Sequence, residues 1–299
     1  MPELPDVNLY VVRLRERTVG ARLEDMRIYG PSVLRSIDPP PGALLGKSVR
    51  SVERLGKRIV YEFGEDLFMV LHLMISGRLG WSEVQGTIPM RAPKVQMAAW
   101  QWSSGRLTLT EASTRKRATV QLARGPGALE PFRRSGADLF ALSEEEFASR
   151  LRFQNRTLKR ALTDPNSFDG VGNAYSDEIL FAARLSPVKT TGGLSDEQVS
   201  RLLTACRETL GGWRDRLIQT YPDFPRPGQI TAFRPEFNVH GRYGQPCRVC
   251  GAPVQHIVYA ENETNYCAVC QNEGRLLADR SLSRLLKEDW PKMLQWEAW

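Results

Sequence analysis

The first three residues, Met1-Pro2-Glu3, set a secondary amine beside a carboxyl once the initiator methionine is removed. A small residue in second place favours that removal. An α-amino group has a reference pKa of about 7.7–8.0, so a usable fraction is unprotonated at neutral pH. Such an amine can attack an aldehyde-like carbon and form an iminium, chemistry that lysines provide only once their pKa is depressed. The ordinary alternative is a proline that merely begins an ordered N-terminus, and the rest of the chain must separate the two.

A second constellation lies far downstream. Cys247 and Cys250 form one C-x2-C pair, Cys267 and Cys270 another, with sixteen residues between the pairs. Paired C-x2-C units at this separation read as a four-thiolate structural zinc site, one ion gripped from two tight turns. Four protein ligands leave no open coordination position, so the metal folds the hairpin and does no chemistry. The fifth cysteine, Cys206, stands alone in a helical stretch and reads as a small buried hydrophobe.

Weaker candidates lie between these. Lys57, in Arg54-Leu55-Gly56-Lys57-Arg58, precedes a strand and could bind phosphate. A satisfied core histidine is the ordinary reading of His72, which ends an apolar run before Met74-Ile75-Ser76-Gly77-Arg78-Leu79. Arg115-Lys116-Arg117 is one basic cluster; Arg150, Arg152, Arg156, Lys159 and Arg160 form another. Both suit phosphate contacts, or a solvated face. Gly170-Val171-Gly172-Asn173 opens a helix whose N–H groups could face an anion, with Asn173 as its cap.

The elements that must position these groups follow from spacing. Val7, Val11 and Leu14 predict a helix over 5–19, ended by Gly20. Short runs at Val49–Val52, Arg58–Phe63, Leu67–Leu73, Val95–Trp102 and Leu107–Thr110 predict strands of a β-sandwich or barrel. Gly125-Pro126-Gly127 and Pro131 read as a linker. Capping boxes at Ser143-x-x-Glu146 and Ser195-x-x-Gln198 announce helices, and short helices are expected over Asn155–Leu162 and Ala174–Arg184. Residues 222–246 read as a long loop. In the tail, Leu276, Leu277, Leu282, Leu285, Leu286, Trp290, Trp296 and Trp299 predict a helix docked on the body. The expected divisions are 1–125, a linker 126–142, a helical domain 143–239, a zinc hairpin 240–271 and an extension 272–299.

Composition narrows the class. With 41 Lys and Arg against 34 Asp and Glu, a formal charge of +7 favours a polyanionic partner. No apolar run approaches the ~18 residues of a membrane span. Asp6, Arg13, Arg15 and Glu16 interrupt any signal-peptide core, so a cytoplasmic monomer away from membranes is expected.

Taken in order, these pieces resemble the formamidopyrimidine-DNA glycosylase/endonuclease VIII family of base-excision repair enzymes. The resemblance covers about residues 2–271. It rests on Pro2-Glu3-Leu4-Pro5-Asp6, Lys57, His72-Leu73 through Ser76-Gly77-Arg78-Leu79, Asp169-Gly170-Val171-Gly172-Asn173-Ala174-Tyr175 with Glu178-x-Leu180-Phe181, and His240-Gly241-Arg242-Tyr243-Gly244-Gln245-Pro246-Cys247. It implies a multidomain α+β fold: an N-terminal β-sandwich with a leading α-helix, a helix–two-turns–helix domain and a zinc-finger β-hairpin, here followed by a helical tail. It implies a glycosylase and AP lyase acting on double-stranded DNA that contains a damaged base or abasic site, with one structural Zn2+. Pro2 would be the nucleophile, Glu3 the general acid/base and Lys57 a phosphate ligand beside the lesion. DNA contacts would come from Asn173, Lys159, Arg115, His72 and position 262.

Three departures accompany the resemblance. The hairpin arginine expected five residues before the third cysteine is Asn262. The methionine that helps fill the hole left by a flipped base is replaced by Ile75, with Met74 beside it, and Asp-Pro-Arg-Arg-Phe-Gly becomes Ser113-Thr114-Arg115-Lys116-Arg117-Ala118, keeping Arg115 but losing the phenylalanine. The tail beyond Gln271 is longer than usual. The N-terminal chemistry therefore reads as intact and lesion recognition as altered. A non-catalytic reader of damaged or bent DNA and a zinc-ribbon RNA-binding protein are the competing readings; the second leaves Pro2-Glu3 unexplained.

Overall fold

The computed structural model describes residues 1–30, 32–133, 136–259, 262–277 and 293–294. Helix α1 (Leu4–Thr18) buries Leu4, Val7, Val11 and Leu14 along one face. Pro5 lies in its first turn, where a missing N–H forfeits no helical hydrogen bond.

Eight strands follow: β1 (Leu23–Ile28), β2 (Val49–Leu55), β3 (Arg58–Phe63), β4 (Leu67–His72), β5 (Gly77–Ser82), β6 (Gln96–Trp102), β7 (Gly105–Glu111) and β8 (Thr119–Arg124). They form two antiparallel four-stranded sheets, in the orders β1-β6-β7-β5 and β2-β3-β4-β8. Alternating residues from both sheets meet in one core, where Tyr61 and Phe63 of β3 stack on Trp102 of β6 with ring centroids 5.5 and 6.0 Å apart. This is the expected β-sandwich with its leading helix. Strands β1, β5 and β8 were not among the runs read from sequence.

The helical part comprises α2 (Glu144–Arg152), α3 (Leu158–Thr163), α4 (Asn173–Ala182) and α5 (Asp196–Thr220). Both expected capping boxes close: Ser143 and Glu146 exchange side chain-to-backbone hydrogen bonds of 3.2 and 2.8 Å, and Ser195 and Gln198 exchange theirs at 3.3 and 3.2 Å. The helix expected from Asn155 begins only at Leu158. The Arg156 carbonyl accepts from Thr191 N–H, Leu158 N–H donates to the Lys189 carbonyl, and Thr157 bridges Thr190, so this backbone is already paired. Hairpin β9 (Gln255–Tyr259) and β10 (Asn262–Tyr266) leads into the short α6 (Ala268–Asn272).

The chain folds as two units, Met1–Arg134 with Trp213–Thr231, and Ser135–Gly212 with Ala232–Trp299. The last turns of α5 and the segment after it thus belong with the strands. Arg13 of α1 fixes them there by donating to the carbonyls of Ile218 and Tyr221 at 2.7 and 2.9 Å. In the other unit the tail docks where it is described: Leu276, Leu277 and Leu294 pack on Ile257, Tyr266 and Ala268. Leu282, Leu285, Leu286, Trp290, Trp296 and Trp299 lie outside the described residues.

Candidate active site and metal centre

In the first unit, Pro2 is buried and Glu3 is 2 % exposed. Glu3 is the N-cap of α1, and its N–H donates to the Asp6 carboxylate at 3.0 Å in a capping box. The Glu3 carboxyl therefore lies at the positive end of a helix, a place that favours negative charge. The α-amino group of Met1 is held below its ordinary pKa, chiefly by burial, with Arg78 and Lys57 acting in the same direction and Glu3 and Asp6 opposing them. Lys57 and Arg78 are thus electrostatic neighbours of the N-terminus despite their distance in sequence.

Strand geometry explains this. Lys57 occupies the two-residue turn between β2 and β3 with Gly56, whose φ of 64° suits glycine. The next residue, Arg58, pairs with His72, the last residue of β4, and His72 pairs in turn with Thr119. His72 is half-buried at a strand end rather than enclosed in the core. Arg78, on β5, donates to the carbonyls of Ile230, Gly77 and Ile75 at 2.7, 2.8 and 3.2 Å, locking the β4–β5 turn beneath it. The motif alone assigns Arg78 no role; a cation two residues beyond the Ile75 turn is the signal available in the sequence. Ile75 stands exposed on that turn, and Arg115 is exposed in the loop between β7 and β8.

In the second unit two expectations change. Gly172, not Asn173, is the N-cap of α4; Asn173 is its first residue and half-buried. Lys159 is turned inward. Its ammonium donates to the carbonyls of Asn173 and Glu263, each at 3.2 Å, and to the Asp177 carboxylate. An ammonium has three donors, and three protein acceptors occupy them.

Asp177, its side chain fully buried, also accepts from Asn265 N–H at 3.0 Å and lies 2.8 Å from His240 Nδ1. The neighbouring Glu178 carboxylate gathers the N–H groups of Asn238, Val239 and His240 at 2.8–2.9 Å. Two acidic side chains of α4 thereby hold the loop before the cysteines and strand β10. Removing the carboxylate in Asp177→Ala leaves the Lys159 charge in a dry site, at an expected cost of about 3–5 kcal/mol. Denaturant unfolding of the full chain measures it, and a loss under 1 kcal/mol would show the ion pair to be dispensable.

The four cysteines converge. All four Sγ atoms lie within 4.8 Å of one another, with Cys247–Cys270 at 4.0 Å and Cys250–Cys267 at 3.4 Å. Tetrahedral zinc with bonds of about 2.3 Å needs sulfurs about 3.8 Å apart. Val249 N–H points at Cys247 Sγ and Cys270 N–H at Cys267 Sγ, as backbone donors do around thiolates. The residues fit one structural zinc. Cys206 is fully buried, and burial pushes its thiol well above the ordinary range, which makes it inert. One zinc per chain is expected by metal analysis. Cys267→Ser should lose the ion and expose residues 244–272 to protease, and full zinc occupancy in that variant would rule out Cys267 as a ligand.

Asn262 opens β10 opposite Tyr259; its side chain lies outside the described residues.

Three family models match along the chain: the formamidopyrimidine-DNA glycosylase N-terminal domain over residues 1–120, the H2TH domain of the same enzymes over 136–212, and the zinc finger found in FPG and IleRS over 244–272. The formamidopyrimidine-DNA glycosylase of Exiguobacterium is 30% identical over 285 residues, covering 91% of this chain and 99% of its own. The chain belongs to the formamidopyrimidine-DNA glycosylase family. Its members are DNA glycosylases, which places the protein in base-excision repair of damaged bases. The Variovorax paradoxus glycosylase is 31% identical, covering 91% of this chain and all of its own. Two solved structures superpose with a TM-score of 0.78 at 25% identity. One is the Lactococcus lactis glycosylase with DNA containing an abasic site, covering 90% of this chain and 99% of its own. The other is the same enzyme with DNA containing N7-benzyl-Fapy-dG, covering 91% and 100%. Among the described residues no helix is long and apolar enough to cross a membrane.

Proposed function

We propose that the protein is a bifunctional DNA glycosylase and AP lyase that uses the amine of Pro2, freed by removal of Met1. The observation carrying this reading is the environment of the N-terminus: a buried Pro2 and Glu3 at the start of α1, in a place where burial first, and Arg78 and Lys57 after it, hold the Met1 amine below its ordinary pKa. A damaged base is turned out of the duplex. The Pro2 nitrogen attacks C1′ of that nucleotide, and the base departs with its bonding pair and a proton. Glu3 protonates the sugar ring oxygen as the ring opens, leaving an iminium between Pro2 and C1′. The iminium acidifies C2′; loss of that proton expels the 3′ phosphate by β-elimination, and a second elimination expels the 5′ phosphate. Water then releases Pro2.

Lys57 supplies a cation for a phosphate beside the lesion. The N–H groups at the start of α4, around Gly172 and Asn173, suit a second phosphate. His72 and Arg115 contact the duplex from the sandwich. Lys159 acts from within, bracing the Asn173 carbonyl. The substrate is double-stranded DNA bearing an oxidised or ring-opened base; the Lactococcus enzyme is seen with DNA containing N7-benzyl-Fapy-dG.

Asn262, where the family resemblance expects an arginine, favours a second reading: a member that binds damaged DNA without cutting it. A panel of defined-lesion duplexes, scored together for base release and strand cutting, separates the two. Release with β,δ-cleavage from at least one duplex supports the enzyme. Binding without release or cleavage across the panel supports the reader.

A further inference from the structure

Glu111, the last residue of β7, ends a strand whose partner β5 begins at Gly77, so that Glu111 and Gly77 face each other across the ladder. Its side chain is 1 % exposed. One carboxylate oxygen accepts from the Ser76 hydroxyl at 3.0 Å; the other accepts from the N–H groups of Arg117 and Ala118 at 2.9 and 3.1 Å. Lys116 reaches back to the Glu111 carbonyl. A single carboxylate therefore ties the turn that carries Ile75 to the loop that carries Arg115.

Those two residues are exposed, one apolar and branched, the other cationic. Proteins that unstack DNA insert apolar wedges between base steps and use arginine alongside them. Two tips that must enter one gap together gain from being ordered beforehand, because loop ordering on binding is otherwise a cost set against affinity and rate. We propose that Glu111 is a positioning residue that fixes the Ile75 turn and the Arg115 loop in one arrangement, so that both fill the duplex as a base is turned out. This rests on the glycosylase reading above. Glu111 carries little signal in the sequence: it lies two residues before Ser113, where the motif expected from the resemblance departs.

The test compares two substrates. A lesion duplex requires the base to be turned out and the gap filled; a single-stranded oligonucleotide with a preformed abasic site requires neither. Glu111→Ala is expected to slow single-turnover base release from the duplex about tenfold, at saturating enzyme, and to change borohydride trapping on the single strand by less than about twofold. Glu111→Gln, which keeps a carbonyl for the two N–H groups and an amide for Ser76, should recover most of the duplex rate. Ser76→Ala, which removes one of the three hydrogen bonds, should lose less in the same direction and carries the test if Glu111→Ala does not fold. Equal losses on both substrates, or no loss on the duplex, would overturn the assignment. A wild type that neither releases a base nor traps overturns the underlying reading instead, and is recognised because it fails before any variant is compared.

Discussion

A chain that keeps a residue ahead of Pro2 is expected to form no borohydride-stable adduct with abasic-site DNA. With Met1 attached the Pro2 nitrogen is an amide, whose lone pair is delocalised into the carbonyl, and it cannot attack C1′. The comparison is between mature protein starting at Pro2, confirmed by mass spectrometry, and protein whose N-terminus is extended and cannot be processed. The loss should exceed about 10³-fold, because an activated nucleophile is replaced by none. Pro2→Gly should also trap less, since its primary amine lacks the ring that fixes its direction. An undiminished adduct from either form would remove Pro2 from the mechanism.

The pH dependence follows from the same site. Burial, and after it Arg78 and Lys57, hold the Met1 amine below its ordinary pKa; the Pro2 amine, also in a buried residue one position further in, is expected to feel the same groups, so the acidic limb of adduct formation should lie below that of an ordinary terminal amine. Replacing Lys57 by methionine removes one of those cations. The amine pKa then rises, and the limb moves to higher pH.

Glu3→Gln is expected to lower base release by about 10²–10⁴-fold, the usual worth of a positioned general acid. An amide at this position still offers an oxygen to the start of α1, so the fold should survive. It cannot supply a proton to the sugar ring oxygen. At a preformed abasic site the base has already gone and the sugar opens to its aldehyde without the enzyme, so trapping by Glu3→Gln should remain within about tenfold of wild type. A variant that loses both activities equally would show that Glu3 acts through the fold; one that loses neither would show that another group carries the proton.

The parts of the site that were legible in the sequence are those whose chemistry is local. Cys247, Cys250, Cys267 and Cys270 declare themselves because each ligand pair is a single turn. Pro2 and Glu3 are adjacent, and the capping boxes at Ser143 and Ser195 span one helical turn. What escaped reading depends on distant partners. Lys159 looked like a phosphate ligand because it stands in a basic stretch; its acceptors Asp177 and Glu263 come from another helix and from a hairpin. Strand β5, Gly77–Ser82, contains two glycines and follows a tight turn, so its composition argued against a strand although Leu79 is wholly buried. Strand β8 did carry a signal, the inward Val120 and Leu122 in Thr119–Arg124, but a basic run stands directly before it. Residues 222–246 read as a loop and largely are one, ordered by burying Ile230, Phe237, Val239 and His240.

The way α3 and α4 hold strand β10 bears on how this enzyme can change. Lys159 takes Glu263 by its carbonyl, and Asp177 takes Asn265 by its N–H. Both grips fall on backbone atoms: the carbonyl is common to every amino acid and the N–H to every one but proline. A change of side chain at position 262 therefore leaves both grips in place, whereas the Glu263 carboxylate also accepts from Asn265 Nδ2 at 3.1 Å. Position 262, where the family resemblance expects an arginine and this chain has asparagine, lies at the start of that strand. Mutational scanning of 262 should accordingly return many folded, zinc-loaded variants, a ready library for selecting altered lesion preference.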